Sequence, residues 1–328
     1  LVLTNVILPI FLIIFLGFLL RRYGKADLKT FSRAQLYVLS PALGFMSLAK
    51  PEADTNMILQ VLVFMICLQA VLLGISLGVT VLWKRDRAER QAIAMTSTLA
   101  NTGFYGIPVC MLAFGQLGLV YATIYMVASS ILQSTVGIFL VSIFKVPLIW
   151  SIVAARLLVY LHALPSAPFM KMIDMLGEAS IPTGLMLLGM QLESIVLESA
   201  AWRATLAGAV HGDFMVGDEH NGETSEGVCE TPYSAAIELK RDISGGLVSA
   251  ALKILGGFAA SYGLIQLFHF NANMNQVIVV QSAMPTAVNA IVFATEFNCR
   301  PRLVAVGILA STLASVASII LILRYVGF

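Results

Sequence analysis

Residues 100–109 read ANTGFYGIPV, from Ala100 to Val109, in the middle of an apolar stretch spanning roughly residues 91–114. A stretch of that length crosses about 30 Å of hydrocarbon as one helix. Pro108 removes a backbone donor and crowds the preceding turn. Gly103 and Gly106 let the chain unwind or let another backbone approach. Asn101 and Thr102 place hydrogen-bonding side chains beside whatever backbone groups are freed. In lipid such groups must find partners, so a broken helix is tolerated only where protein or a water-filled cavity supplies them. The stretch therefore predicts a helix crossing that lines a solute site.

A second stretch repeats the pattern. SAMPTAVNAI, Ser282 to Ile291, carries Pro285, Thr286 and Asn289, with Gln281 just before it. Small residues and prolines in membrane helices also serve packing alone. Two polar, proline-interrupted spans in matching places point instead to a transporter's midplane site. The amino ends of the half-helices would turn partial positive charge toward an anion.

The rest of the chain fits that frame. Of its 328 residues 59% are hydrophobic and 12% charged, and the mean hydropathy is +0.89. A soluble domain of this size needs more charge to cover its surface. Ten spans are expected, at roughly 2–20, 33–49, 57–83, 91–114, 118–143, 146–163, 172–195, 245–268, 275–296 and 303–323. The first reads as a full span and not as a cleaved leader. Fifteen of the twenty Lys and Arg fall in loops on one side, such as Arg21, Arg22, Lys84, Arg85, Arg87 and Arg90. Only Lys50, Lys171 and Arg324 fall on the other, and Arg156 and Lys253 lie within spans. Basic residues collect on the cytoplasmic side, so both termini are expected outside. A plasma or inner membrane is the expected location.

Five spans per half is an odd number, so a duplicated half inserts upside down. Pro9 and Pro41 in the first half stand as Pro147 and Pro182 do in the second. The expected organisation is a first repeat over 1–145, a second, inverted repeat over 146–328, and an acidic cytoplasmic loop over 209–242. That loop has low hydrophobicity and an acidic excess, the composition of a mobile segment. Its His211 and His220 lack compact ligand spacing. Cys67, Cys110, Cys229 and Cys299 are scattered and read as unpaired thiols. No metal, cofactor or nucleic-acid partner is expected.

ANTGFYGIPV resembles the fourth-span motif of the auxin efflux carrier family, which includes plant auxin carriers and bacterial malonate-type organic-acid permeases. AMPTAVNAIVFATEFN (residues 283–298) resembles the ninth-span motif, and LGEASIPTGLMLLGMQL (residues 176–192) the seventh. The resemblance implies an all-α polytopic fold like that of bile-acid symporters: ten transmembrane helices in two inverted five-helix repeats with crossed broken helices. It also implies a scaffold of spans one, two, six and seven, an elevator-type moving domain, a homodimer, and efflux of small organic anions as the family's common task. Three departures stand out. The long plant loop between spans five and six is reduced here to residues 144–147, the insertion sits before span eight instead, and the plant ninth-span motif has a second proline where Ala290 stands.

The expected substrate-binding residues are Asn101, Thr102, Gly103, Tyr105, Gly106, Pro108, Gln281, Pro285, Thr286 and Asn289. Asn101 and Asn289 are expected at the substrate carboxylate. Glu178 and Arg156 would both lie about 10 Å deep from one side, either as an ion pair or as a proton-coupling group with its partner. Charge at that depth is costly and usually paired or functional. Lys253 is expected to snorkel along its span. Three rival readings exist. A sodium-coupled bile-acid-type symporter would share the fold. A sensor would signal through the acidic loop. An intramembrane enzyme would need a nucleophile or paired aspartates, and no GxSG, GxGD or HExxH occurs.

Overall fold

The computed structural model describes residues 3–49, 55–137, 147–210, 232–297 and 299–327. These residues form helices α1 (Leu8–Arg22), α2 (Leu28–Ala34), α3 (Ser40–Leu48), α4 (Thr55–Leu82), α5 (Arg87–Thr98), α6 (Ile107–Gly137) and α7 (Pro147–Tyr160). They continue as α8 (Ala167–Val210), α9 (Pro232–Ala251), α10 (Gly257–Ile265), α11 (Ala272–Ser282), α12 (Asn289–Glu296) and α13 (Pro301–Tyr325). Wide π-type turns precede α1, α3, α6 and α10. Among the described residues, five helical stretches are long and apolar enough to cross a membrane: Thr4–Arg22, Asn56–Leu82, Thr102–Gln133, Glu238–Ile265 and Pro301–Tyr325. No strand occurs among the described residues, only one isolated bridge.

Helix starts follow local chemistry. Asp27 accepts from the Thr30 amide at 3.0 Å at the head of α2. Asp86 and Glu89 form a reciprocal capping box at α5, which satisfies two otherwise orphaned donors. Asn271 caps α11 through the Met274 amide at 2.8 Å. Pro301 sits in the first turn of α13, where a missing N–H costs nothing, whereas Pro9 and Pro41 follow directly on wide π-type turns. Inside α6 the helix kinks at Gly115, whose φ of 66° is left-handed and strained for any residue with a Cβ.

Two groups of helices emerge from the packing. In one, α1 lies along α8 while α3 is held between α7 and α8. The α1–α8 contact is close enough that a Cβ on Gly189 would strike the Ile14 carbonyl, and one on Gly17 would strike the Met186 carbonyl. Small residues at a crossing let backbones approach where lipid provides no hydrophobic drive. In the other group α13 packs on α9, α4 on α5 and α6, and α10 on α11 and α4.

Three expectations are corrected. Residues 232–242 are the first turns of α9, not the end of a solvated loop; Glu238 and Asp242 reach Arg300 at 3.8 and 3.1 Å. The remainder of the acidic stretch, 211–231, lies outside the described residues, His211, His220 and Cys229 with it. Lys253 does not snorkel. It is 2% exposed, inside the wide turn Leu252–Gly256 that packs on α4, α5 and α13. Arg156 and Glu178 do not pair. Arg156 donates to the Leu48 carbonyl at 3.4 Å, at the negative end of α3. Glu178 is exposed, because its neighbour Gly177 is the α8 residue that faces α3.

Candidate functional site

The two interrupted helices meet. α5 ends at Thr98, and Leu99 turns extended with φ −78° and ψ 104°. α11 ends at Ser282, and residues 284–287 run outside any helix. Ala100 and Thr286 then pair as an antiparallel bridge. The Asn101 amide donates to the Pro285 carbonyl at 2.8 Å, and the Ala287 amide donates to the Leu99 carbonyl at 2.9 Å. Each break thus supplies the partners that the other's freed backbone lacks, as a low-dielectric setting requires.

Side chains brace the crossing. The Thr286 hydroxyl donates to the Thr96 carbonyl at 2.8 Å, an acceptor near the end of α5 where the last carbonyls lack helical donors. The Thr286 amide donates to the Ser311 hydroxyl at 3.1 Å. Gln133 reaches the Ala100 carbonyl at 3.4 Å and the Ser129 hydroxyl at 2.7 Å. Behind the crossing, Tyr105 is wholly buried and shares a hydrogen bond of 3.0 Å with Ser315. The Gln281 carboxamide is also buried, without a hydrogen-bond partner among the described residues. It lies so close to Gly106 that a Cβ there would strike it.

On the open side lies a cavity of about 150 Å³. Asn101, Thr102, Gly103, Phe104 and Asn289 line it from the crossing, Ser130 and Gln133 from α6, and Gln191 with Ser40 from α8 and α3. Leu36, Met126, Leu148 and Val288 add apolar surface. None of its lining residues is charged. The carboxamides of Asn101 and Asn289 make no hydrogen bond with a described residue, so both remain available as donors. The wide turn Thr102–Gly106 leading into α6 and the start of α12 at Asn289 both open here. At α12 the Ala290 and Ile291 amides bond back to the Ala287 and Val288 carbonyls at 3.0 and 3.1 Å, and both helix starts carry the partial positive charge of a helix amino end.

The structure thus brings Asn101, Thr102, Gly103 and Asn289 together at one cavity. Tyr105, Gly106, Pro108, Gln281, Pro285 and Thr286 stand elsewhere. Tyr105 and Gln281 face the interior, and Thr286 has spent both its polar groups on the brace. Pro285 gives its carbonyl to the crossing. Pro108 is buried in the first turn of α6, where its ring shapes the start of the half-helix. Ser40, Gln133 and Gln191 were not singled out by sequence, since a lone uncharged polar residue in an apolar span carries no spacing signal. Glu193, 3% exposed, was not singled out either; Arg21 and Arg22 approach it at 3.9 and 3.8 Å.

A model of the family described as membrane transport protein matches residues 2–145 and 136–323. The chain belongs to that family, the auxin efflux carrier family. It is an integral membrane transporter and not an enzyme. Among curated proteins it is similar to an uncharacterized transporter of Methanocaldococcus jannaschii, 22% identical over 97% of this chain and 96% of that protein. It is also similar to an uncharacterized transporter of Methanothermobacter thermautotrophicus, 24% identical over 96% of each.

Proposed function

We propose that the protein is a secondary transporter of small organic anions such as carboxylates, binding them in the cavity at the helix crossing. The observation that carries this reading is the convergence of two half-helix amino ends and two uncommitted asparagine carboxamides on one uncharged cavity. Neutral donors with aligned amides stabilise a carboxylate without a buried counter-charge, which would itself be costly to desolvate. Asn101 and Asn289 hold the carboxylate, Thr102 and Gln191 add polar contacts, and Phe104, Met126 and Leu148 enclose the apolar part of the solute.

Alternating access follows in this reading from movement of the α4–α6 and α9–α13 group against α1–α3, α7 and α8. The cavity is lined from both groups, which supports such a division. Ten spans in two inverted repeats, a homodimer, termini outside the cytoplasm and net efflux from a plasma membrane belong to the same proposal. The test is uptake into proteoliposomes of labelled malonate, malate, lactate and indole-3-acetate, with and without proton and sodium gradients. Saturable uptake of one acid establishes the class, and its gradient dependence separates proton, sodium and uncoupled transport. Failure of all four acids with folded protein refutes the carboxylate reading.

A further inference from the structure

Away from the crossing, the arginine-rich end of the molecule holds a groove of about 750 Å³ between α4, α5 and the turn after α12. Leu73 and Leu77 form one wall, Arg87, Arg90 and Met95 another, and Phe297 closes it. Leu73, Leu77 and Phe297 are 43%, 40% and 49% exposed. The two leucines continue a face of α4 on which Leu59, Val63, Ile66 and Val81 are also exposed. On a membrane-spanning helix such a face meets lipid chains.

Charge matching separates this groove from its surroundings. Arg85 pairs with Glu89 at 3.4 Å, and Arg241 with Glu89 at 2.9 Å and Asp86 at 3.4 Å. Arg300 pairs with Asp86, Asp242 and Glu238. Arg87 and Arg90, by contrast, make no ion pair with a described carboxylate, and no acid lines the groove. Arg90 is held only by its Nε, which donates to the Arg85 carbonyl at 2.9 Å. Three residues apart on α5, the two arginines share a helix face. Trp83 is 53% exposed with the Arg85 guanidinium 5.9 Å from its ring centroid. An amphipathic ring at that level marks the headgroup layer.

We propose that this groove holds one anionic phospholipid from the leaflet at the arginine-rich end. Its phosphate lies between Arg87 and Arg90, and an acyl chain runs along Leu77 and Leu73 toward Phe297. From Arg87 to Met95 is about 12 Å along the helix, so headgroup and upper acyl chain fit the same groove. The charge pattern selects an anionic over a zwitterionic lipid, because two unmatched cations lie where the headgroup sits.

The test is native mass spectrometry of the full chain released from mixed phosphatidylglycerol and phosphatidylcholine, counting retained lipid. Wild type should retain phosphatidylglycerol preferentially. Arg87→Gln with Arg90→Gln should lower that retention by about tenfold. Lys25→Gln with Lys29→Gln, the same charge change on exposed residues away from the groove, should leave it unchanged. Leu73→Trp keeps the charge and fills the chain path, and should lower retention as well. Glycerol phosphate, the headgroup without chains, should not displace the lipid. Equal retention of both lipids, equal loss from the two double variants, or displacement by glycerol phosphate would each overturn the proposal.

Discussion

The two breaks that make the crossing use similar residues for different ends. In the first, the backbone of Asn101 is tied to Pro285 while its side chain stays uncommitted at the cavity. In the second, Thr286 is tied through both amide and hydroxyl, and Asn289, three residues on, brings a polar side chain to the cavity beside Ala287 and Val288. In the proposed reading the first break therefore meets the solute, while the second braces the crossing. Equivalent polarity in two half-sequences does not mean equivalent roles. Which partner a hydroxyl or carboxamide finds decides whether it can serve a solute.

The contrast can be broken most directly at Asn101. Asn101→Ala should lower transport efficiency by about tenfold or more, the worth of a hydrogen bond to a charged group, with thermal stability little changed. Thr286→Val should do the reverse. Losing the bond to the Thr96 carbonyl and leaving that acceptor unpaired costs about 1–3 kcal/mol, measured by thermal or denaturant unfolding in detergent, while the protein that remains folded keeps its apparent substrate affinity.

A smaller effect sharpens the boundary between cavity and brace. Gly106→Ala should destabilise by about 1–3 kcal/mol, the usual range for overpacking, because the new Cβ meets the Gln281 carboxamide. Gln281→Ala in the same chain should recover part of that loss, and a double-mutant cycle on unfolding free energies would show the coupling. Additive effects would mean that the two residues do not share this contact. Tyr105→Phe removes one buried hydrogen bond and should cost about 1 kcal/mol of stability, with uptake essentially that of wild type.

The smallest expected effect is one of pH at the arginine-rich end. Partial burial raises the Asp86 pKa, but the Glu89 amide and then Arg300 and Arg241 outweigh it and hold the carboxyl below its usual 3.8. A depressed carboxylate contributes stability above its unfolded-state pKa and loses it as pH falls through the folded value. Unfolding curves of wild type and Asp86→Asn should therefore differ at neutral pH and converge at acid pH below 3.8. The difference should be modest, since the Asp86 side chain is 42% exposed and solvent screens its pairs.

Much of this was legible in the sequence. The interruptions at residues 99–106 and 283–288 were announced by Asn101, Gly103, Gly106 and Pro285, because a broken helix in an apolar span needs such residues. The kink at Gly115 lies between two stretches that were expected from the sequence as separate spans. Less legible was what each polar group faces. Tyr105 is two residues from Gly103 yet points into the core, since successive helical residues turn about 100°. Gln133 and Gln191 come from other helices, and nothing local to them signals a shared cavity. Arg156 and Glu178 were matched by depth, but depth leaves helix rotation undetermined. Residues 232–242 looked like loop because Glu238, Lys240, Arg241 and Asp242 are charged. Their helix is anchored by Arg85, Asp86, Glu89 and Arg300, partners far away in the chain.

The most direct measurement is initial uptake and thermal stability of Asn101→Ala and Thr286→Val, run side by side in the same lipid with the best acid from the panel. The account predicts that Asn101→Ala loses uptake at unchanged stability, and that Thr286→Val loses stability at unchanged substrate affinity. Wild-type uptake by Asn101→Ala would contradict it.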